Sequence, residues 1–194
     1  MDIPNNRKWM QRHLRMAFQA ASWSKDESSQ VGAVIVTQDG KPRSYGFNGM
    51  PRGINDDVPE RHERPDKYMW FEHAERNAIY LARGDLHDCM IFVTHLPCPD
   101  CCRGIIQSGI KYVVVATQNG MNSEFVQKRK QNLEISLPML QEAGIVYYEI
   151  MNDVELQAID NELFVVPRLE VPDWELNFAP EYTMPRPTGY EKYD

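Results

Sequence analysis

The 194-residue sequence lacks the features that mark several classes of protein. No stretch reaches the roughly 20 apolar residues that a membrane-spanning helix needs. Its first residues hold no apolar run of the kind found in signal peptides. We therefore expect a cytoplasmic protein, in the host cytoplasm if the chain is virally encoded. Only four cysteines are present, too few for a disulfide scaffold in a chain of this length.

An excess of basic residues is also missing. The formal net charge is -7, which argues against a duplex nucleic-acid binder because such proteins carry a basic face. A small basic pocket for one phosphate remains compatible with this balance. With 42% hydrophobic and 25% charged residues, the composition is that of an ordinary globular domain long enough to bury its own core.

Hydrophobic patterning predicts an α/β fold with helices alternating with strands. A helix is expected over 5–23, and the Asp39-Gly40 turn joins two antiparallel strands over 31–36 and 42–47. After a long loop over 48–66, the pattern predicts a lead-in plus a helix over 67–83. It further predicts helices over 98–108 and 137–143 and strands over 89–94, 111–117 and 145–150. These elements favour a sandwich of helices around a mixed five-stranded sheet.

The last part of the chain differs in composition. We expect a domain over 1–150 and a C-terminal extension over 151–194, with one helical piece over 153–163 and otherwise many prolines. Its aromatic residues argue against a solvated tail, because disordered segments are poor in aromatics. The extension is predicted to pack on the domain or on a neighbouring subunit.

One group of residues predicts a metal centre. His73-Ala74-Glu75 is followed by Cys98-Pro99-Asp100-Cys101, and both segments fall at predicted helix starts. The positive end of a helix lowers thiol pKa values, so Cys98 and Cys101 are expected as metal-binding thiolates. His73 completes three ligands, and a tetrahedral zinc ion with three protein ligands keeps one open position, as catalytic zinc sites do.

Glu75 is the predicted proton carrier. A bound zinc ion lowers the pKa of water from about 15.7 to about 7. As a residue that does not bind the metal, Glu75 can accept that water's proton, pass it to the base and then protonate the leaving amino group. H-x-E followed by P-C-x-x-C is the pattern of zinc-dependent nucleobase deaminases.

Other interpretations of the cysteines and histidines are weaker. Cys98 and Cys101 could form a redox pair or half of a structural zinc ribbon, but no second Cys-x-x-Cys completes a ribbon. Cys102 and Cys89 are expected to pack in the core. The remaining histidines are expected outside the ligand set, with His95 near the metal site and His13, His62 and His87 at the surface.

With these motifs in place, the chain resembles the deoxycytidylate (dCMP) deaminases of the zinc-dependent cytidine deaminase superfamily. The resemblance covers roughly residues 7–150. It includes five blocks: Ser24–Asp26 with Ser29–Ala33, Gly46–Pro51, His73–Glu75 with Asn77–Ile79, Pro97–Cys101 and Ile106–Ile110. Phe47 replaces the tyrosine usual in the second block. Arg76 stands where an apolar residue usually follows His-Ala-Glu.

The resemblance implies a three-layer α/β/α cytidine-deaminase-like sandwich and one zinc ion per subunit. It implies hydrolysis of dCMP to dUMP and ammonia, which would supply dUMP for thymidylate synthesis. Deamination of dCTP to dUTP is an alternative that the sequence does not separate from use of dCMP alone. Substrate contacts are implied for Asn48 and Ala74, with Ser24, Lys25 and Lys67 near the phosphate. Family members are often hexamers that respond to dCTP and dTTP.

Two rival functions remain. An editing deaminase acting on tRNA or single-stranded DNA would use the same chemistry but would need a basic groove with stacking aromatic residues. A non-catalytic zinc-binding or nucleotide-binding protein belongs to another class, and it would be marked by loss of Glu75, which is present. We therefore expect a small-molecule nucleotide substrate, a homo-oligomer, and neither nucleic acid nor membrane as a partner.

Overall fold

The computed structural model describes residues 6–117 and 134–151. The chain begins with α1 (Arg7–Ala21), β1 (Gly32–Val36) and β2 (Pro42–Phe47). A 3₁₀ turn (Pro59–His62) and the single-turn helix α2 (Lys67–Trp70) follow, and then α3 (Ala74–Leu81). The later elements are β3 (Met90–Val93), α4 (Pro99–Gln107), β4 (Tyr112–Thr117), a helix over 134–142 (α5) and β5 (Val146–Met151).

The five strands form one mixed sheet in the order β2-β1-β3-β4-β5. β1 pairs antiparallel with β2 and with β3, whereas β3, β4 and β5 run parallel to one another. The predicted mixed five-stranded sheet is confirmed, and every strand lies within one residue of its expected bounds.

Helices cover both faces of the sheet. Side chains alternate along a strand, so β1 directs Val34 and Val36 to one face and Ala33 and Ile35 to the other. The first face packs against α1 through Met10, Leu14 and Ala17. The second face packs against α3, α4 and α5, through Ala74, Ala78, Ile105 and Leu140. The three-layer α/β/α sandwich is therefore confirmed.

The expectation that His13 lies at the surface is wrong. His13 is only 3% exposed, on the face of α1 that packs on the sheet. Its ring lies between Trp9 and Phe92, with centroid distances of 5.9 Å and 5.3 Å. The wide aromatic contact surface explains why an otherwise polar ring is buried here.

Of the other histidines expected at the surface, His87 is exposed, whereas His62 is half-buried with its ring edge-on to Phe71.

Several expectations lie outside the described residues. These are the loop over 119–132, the helix over 153–163 and the C-terminal extension over 151–194 apart from Met151 at the end of β5. Within the described part of the chain, no helix combines the length and the apolarity needed to cross a bilayer.

Candidate active site

The predicted site residues meet at one edge of the sheet. β2 and β3 both pair antiparallel with β1, so their carboxyl ends lie at the same edge as the beginning of β1. Asn48 follows β2, the segment over 24–31 precedes β1, and the loop after β3 leads to Cys98. Open α/β sheets commonly bind ligands beyond the carboxyl ends of their strands.

His73, Cys98 and Cys101 converge as the sequence predicts. Their ligand atoms all lie within 4.8 Å of one another. The Nδ1 atom of His73 is 3.4 Å from the Cys98 Sγ atom and 3.3 Å from the Cys101 Sγ atom. His73 occupies the N-cap position of α3 and Cys98 that of α4, so two helix N-termini meet at the cluster.

This arrangement fits a zinc ion. Tetrahedral zinc with a nitrogen ligand and a sulfur ligand places those two atoms about 3.5 Å apart, close to both separations found here. None of the four cysteines forms a disulfide, so both sulfur atoms of the cluster are available to a metal ion. The hydrogen bond with Cys101 lowers the pKa of the Cys98 thiol to about 4, with a further contribution from His73, although burial opposes it. These interactions favour the thiolate form of Cys98, which is the form that binds metal.

Glu75 lies beside the cluster of His73, Cys98 and Cys101 but does not belong to it. It sits in the first turn of α3, two residues after His73, and is 4% exposed. Burial raises the pKa of its carboxyl group above the ordinary value for glutamate. A buried carboxyl group that can hold or release a proton next to a metal site is suited to general acid–base chemistry.

Helix α3 is held against β2 by direct backbone contact at Gly46. A Cβ atom at this position would lie 2.2 Å from the Ala74 carbonyl oxygen and 2.4 Å from the Ala78 nitrogen. Two hydrogen bonds strengthen the contact, from the Ser44 hydroxyl to the Ala78 carbonyl (2.7 Å) and from the Asn77 amide to the Phe47 carbonyl (2.9 Å). Glycine thus allows the helix that carries His73 and Glu75 to lie directly on the sheet.

The other cysteines are core residues, as predicted. Cys102 is fully buried, and its Sγ atom faces the Pro97 carbonyl at 3.7 Å rather than His73. Burial raises the pKa of the Cys102 thiol to about 12, so it stays protonated. Cys89 is 3% exposed. His95 is hydrogen-bonded to the Thr94 hydroxyl at 3.0 Å and does not belong to the ligand cluster.

The residues predicted to contact substrate fall into two groups. Ser24, Asn48 and Lys67 are buried together, within a network of hydrogen bonds described below. Lys25 lies outside this network, because its side chain is 62% exposed and paired with Asp56 at 2.9 Å. Ala74 is fully buried in the first turn of α3. The substrate contacts expected from these residues stay predictions.

Arg76 pairs with Glu72, one turn earlier in the chain. The Nε atom of Arg76 is 2.5 Å from the Glu72 Oε1 atom, which also accepts a 2.9 Å hydrogen bond from the His73 backbone nitrogen. The backbone of Glu72 pairs in both directions with Gly49, at 3.0 Å and 2.7 Å. Arg76 therefore holds the side chain of Glu72, while the backbone of Glu72 joins the start of α3 to the loop that follows β2.

Asp26 is the contributor that sequence reasoning missed. It stands within the quoted Ser24–Asp26 block, and the serines that follow suggest an Asx turn. The Ser28 and Ser29 backbone nitrogens do donate to its Oδ1 atom, at 2.9 Å and 3.2 Å. Its ion pair with Lys67, 41 residues away in the chain, leaves no signal in a single sequence.

Comparison with known proteins agrees with this site. Residues 7–117 match the family model described as the cytidine and deoxycytidylate deaminase zinc-binding region. An uncharacterised deaminase of Aliivibrio fischeri, from the luxG 3' region, is 44% identical over 138 residues, which are 71% of this chain and 90% of that protein. The deoxycytidylate deaminase of Mus musculus is 40% identical over 123 residues, covering 60% of this chain and 69% of the mouse protein.

A solved structure supports the fold. The dCMP deaminase of cyanophage S-TIM5, in complex with dCMP and dUMP, superposes with a TM-score of 0.58 at 23% identity, covering 74% of this chain and 98% of that one. The family match spans more than half of the chain and includes all three clustered ligands and Glu75. This chain belongs to the cytidine and deoxycytidylate deaminase family.

Proposed function

We propose that the protein is a zinc-dependent deaminase that converts dCMP and water to dUMP and ammonia. The observation that carries the reaction type is the convergence of His73, Cys98 and Cys101 beside the buried carboxyl group of Glu75. The substrate is supported by the mouse relative, which is named a deoxycytidylate deaminase, and by the Gly46–Pro51 and Ser24–Ala33 blocks.

His73, Cys98 and Cys101 would hold the zinc ion. When bound, zinc supplies Lewis-acid activation of water near neutral pH. Deamination forms a bond from a water oxygen to C4 of cytosine and breaks the bond from C4 to the exocyclic nitrogen, with no net oxidation or reduction. The protein must therefore move protons from the water to the ring nitrogen N3 and to the departing amino group.

Glu75 is the residue placed to move these protons. Its carboxylate form accepts a first proton from water and its acid form donates that proton to N3. It then accepts the second proton of the same water, from the oxygen now bonded to C4, and donates it to the leaving amino group, which departs as ammonia. The environment that raises its pKa favours this exchange, because the acid form becomes accessible nearer to neutral pH. One carboxyl group thus serves both halves of the reaction.

The phosphate contacts remain predictions for Ser24, Lys25 and Lys67, as does a sugar or base contact for Asn48 and Ala74. Among the three predicted phosphate residues, Lys25 is the one whose charge lies at the surface. The hexamer and the response to dCTP and dTTP implied by the resemblance also remain predictions. Deamination of dCTP to dUTP would use the same chemistry and differs only in the phosphate group.

Ammonia release by the purified protein tests the proposal, with zinc content measured on the same sample. The substrates are cytidine, deoxycytidine, CMP, dCMP, dCTP and a short single-stranded DNA. We expect the highest kcat/KM with dCMP. Activity on the DNA strand, with no turnover of any free nucleotide, would favour an editing deaminase instead.

Removal of the metal provides the matched control. Apoprotein prepared with a chelator should release no ammonia, and addition of zinc should restore the rate, because the three ligands are the site for the ion that activates water. Apoprotein that retains full activity without bound metal would exclude the proposed mechanism.

A further inference from the structure

A buried ion pair lies next to the proposed active site. The ammonium group of Lys67 is 2.6 Å from an oxygen of Asp26, and the two side chains are 7% and 5% exposed. The same nitrogen donates to the Ser28 hydroxyl at 2.5 Å. An ammonium group has three hydrogens, and the two carboxylate oxygens with this hydroxyl provide a partner for each of them.

This pairing limits what Lys67 can do. A lysine that contacts a substrate phosphate needs free donors, whereas those of Lys67 already have acceptors. To reach a phosphate, it would have to leave the Asp26 carboxylate buried without its counter-ion, which is strongly unfavourable. Lys67 is therefore better suited to fixing the position of Asp26 than to binding substrate.

Asp26 transmits this constraint to Asn48. The Asp26 Oδ2 atom accepts a 3.1 Å hydrogen bond from the Asn48 side-chain nitrogen. Burial acts to raise the pKa of the Asp26 carboxyl group, but the hydrogen bonds from Lys67 and Ser28 outweigh it and hold that pKa below the ordinary value. Asp26 thus remains a charged acceptor with a fixed orientation.

Asn48 forms hydrogen bonds through its side-chain nitrogen, its side-chain oxygen and its backbone carbonyl. Its side-chain nitrogen also donates to the Ser29 carbonyl at 2.9 Å, and its Oδ1 atom accepts from the Val31 nitrogen at 2.8 Å. The Asn48 carbonyl accepts from the Ser24 hydroxyl at 2.8 Å. Both amide hydrogens and one acceptor position of the side chain are therefore used within the protein, which leaves the remaining lone pair of Oδ1 for a ligand.

The constraint continues to the metal site. Gly49, the next residue, forms the two backbone hydrogen bonds with Glu72, and Glu72 directly precedes the ligand His73. The loop that contains Asn48 is thus joined through its backbone to the residue before α3, while His73 and Glu75 are held separately by the packing of α3 on β2.

We propose that Lys67 and Asp26 are positioning residues, whose buried ion pair fixes Asn48 and Gly49 in the place where the substrate nucleotide binds. This proposal rests on the proposed function, because it assigns the loop after β2 to the nucleotide site. It gives Lys67 a role through Asp26 and Asn48 in place of the direct phosphate contact expected from the sequence.

The test uses the double variant Asp26→Asn/Lys67→Met. Removing one member of a buried ion pair leaves an unpaired charge, whereas removing both avoids that penalty. We expect Lys67→Met alone to lower the melting temperature and the double variant to recover most of it. In the double variant, the side-chain amide of the new asparagine at position 26 brings a donor next to the side-chain nitrogen of Asn48, which is also a donor. The loop after β2 should therefore stay loosely held even when the melting temperature is recovered.

Kinetics separate positioning from a purely structural role. We expect the double variant to bind zinc fully, to raise the KM for the nucleotide by about tenfold or more, and to keep kcat within about threefold. The matched control is Asp39→Asn/Lys41→Met, which removes an exposed lysine–aspartate pair at the hairpin turn, and its KM should not change. A double variant with recovered stability and a wild-type KM would contradict the proposal.

A second variant and a second readout cover other outcomes. If the double variant does not fold, Ser28→Ala removes one acceptor of Lys67 while leaving the ion pair, and KM should still rise severalfold.

Backbone amide exchange over 46–50 should be about tenfold faster in either variant, with exchange in β3 unchanged. Unchanged exchange at 46–50 would overturn the positioning role. This readout needs no substrate, so failure of the wild-type protein to deaminate dCMP would count against the proposed function alone.

Discussion

Cys101 and Cys102 are adjacent in the chain, yet their side chains have different environments. Cys101 lies 3.3 Å from the His73 nitrogen, whereas Cys102 is packed against the Pro97 carbonyl with its thiol proton retained. Successive residues of a helix point about 100 degrees apart, so two neighbouring cysteines cannot both face one ion. Spacing along the helix therefore directs the side chain of Cys101, and not that of Cys102, towards His73.

Two alanine substitutions test this assignment. Cys101→Ala should abolish stoichiometric zinc binding, because it removes one of three protein ligands. Cys102→Ala should keep the zinc and lose only packing, at a cost of about 1 kcal/mol in the free energy of unfolding. Zinc content measured by atomic absorption, together with the melting temperature, checks both outcomes. Zinc lost from the Cys102 variant but kept by the Cys101 variant would reverse the assignment.

At the residue scale, the chemically specific groups were predictable and the buried polar partners were not. His73, Glu75, Cys98 and Cys101 stand at spacings that few other functions require. The roles of Asp26 and Lys67 depend on a contact between residues 41 positions apart, and no periodicity encodes that contact. Burial of His13 likewise depends on a contact with Phe92, which belongs to a strand far along the chain.

At the scale of elements, the approach of α3 to β2 decides where His73 and Glu75 lie. Alternating strands and amphipathic helices were predictable because each pattern follows from one local geometry. The close contact at Gly46 was not, because a glycine in a strand does not reveal which backbone approaches it. The predicted lead-in and helix over 67–83 correspond to α2 and α3, and the extended residues between them form the bridge to Gly49.

The substitution Gly46→Ala should displace α3. Its new Cβ atom would collide with backbone atoms, which cannot rotate away as a side chain does, so we expect a loss of about 3 kcal/mol in unfolding free energy and weaker zinc binding. Gly49→Ala is the control, because a Cβ atom there meets nothing within 4 Å. Denaturant unfolding and zinc titration measure the two effects. Equal behaviour of the two variants would refute the packing argument.

Helix α1 carries a titratable group on its buried face. Burial lowers the pKa of His13 below its ordinary value, so the folded protein binds a proton there less readily than the unfolded chain does. The contribution of His13 to the free energy of unfolding is therefore fully present above about pH 6.5, the pKa of histidine in the unfolded chain. It decreases as the pH falls below that value.

His13→Phe should remove this dependence. Phenylalanine keeps the aromatic packing between Trp9 and Phe92, and among the described residues neither ring nitrogen of His13 has a hydrogen-bond partner to lose. Between about pH 7.5 and about pH 5.5, the wild-type protein should lose more unfolding free energy than the variant does, as measured by denaturant unfolding at each pH. Identical pH profiles would show that His13 keeps its ordinary pKa.

At the scale of the whole molecule, three segments distant in sequence form one site because the sheet brings their ends to one edge. The loop after β2, the segment before β1 and the loop after β3 meet there. The loop after β2 pairs with Glu72 just before α3, and the loop after β3 leads into α4. The net charge of -7 agrees with a small nucleotide as substrate rather than a long nucleic acid.

The most direct test of the central claim is the rate of dUMP formation from dCMP by the wild-type protein and by Glu75→Gln, compared at equal zinc content. We predict turnover by the wild type at about 1 s⁻¹ or faster. The variant should bind zinc equally and be slower by about a thousandfold, because it cannot transfer protons. A variant that kept more than about a tenth of the wild-type rate would contradict the role of Glu75. A zinc-loaded wild type that formed no dUMP would contradict the assigned substrate.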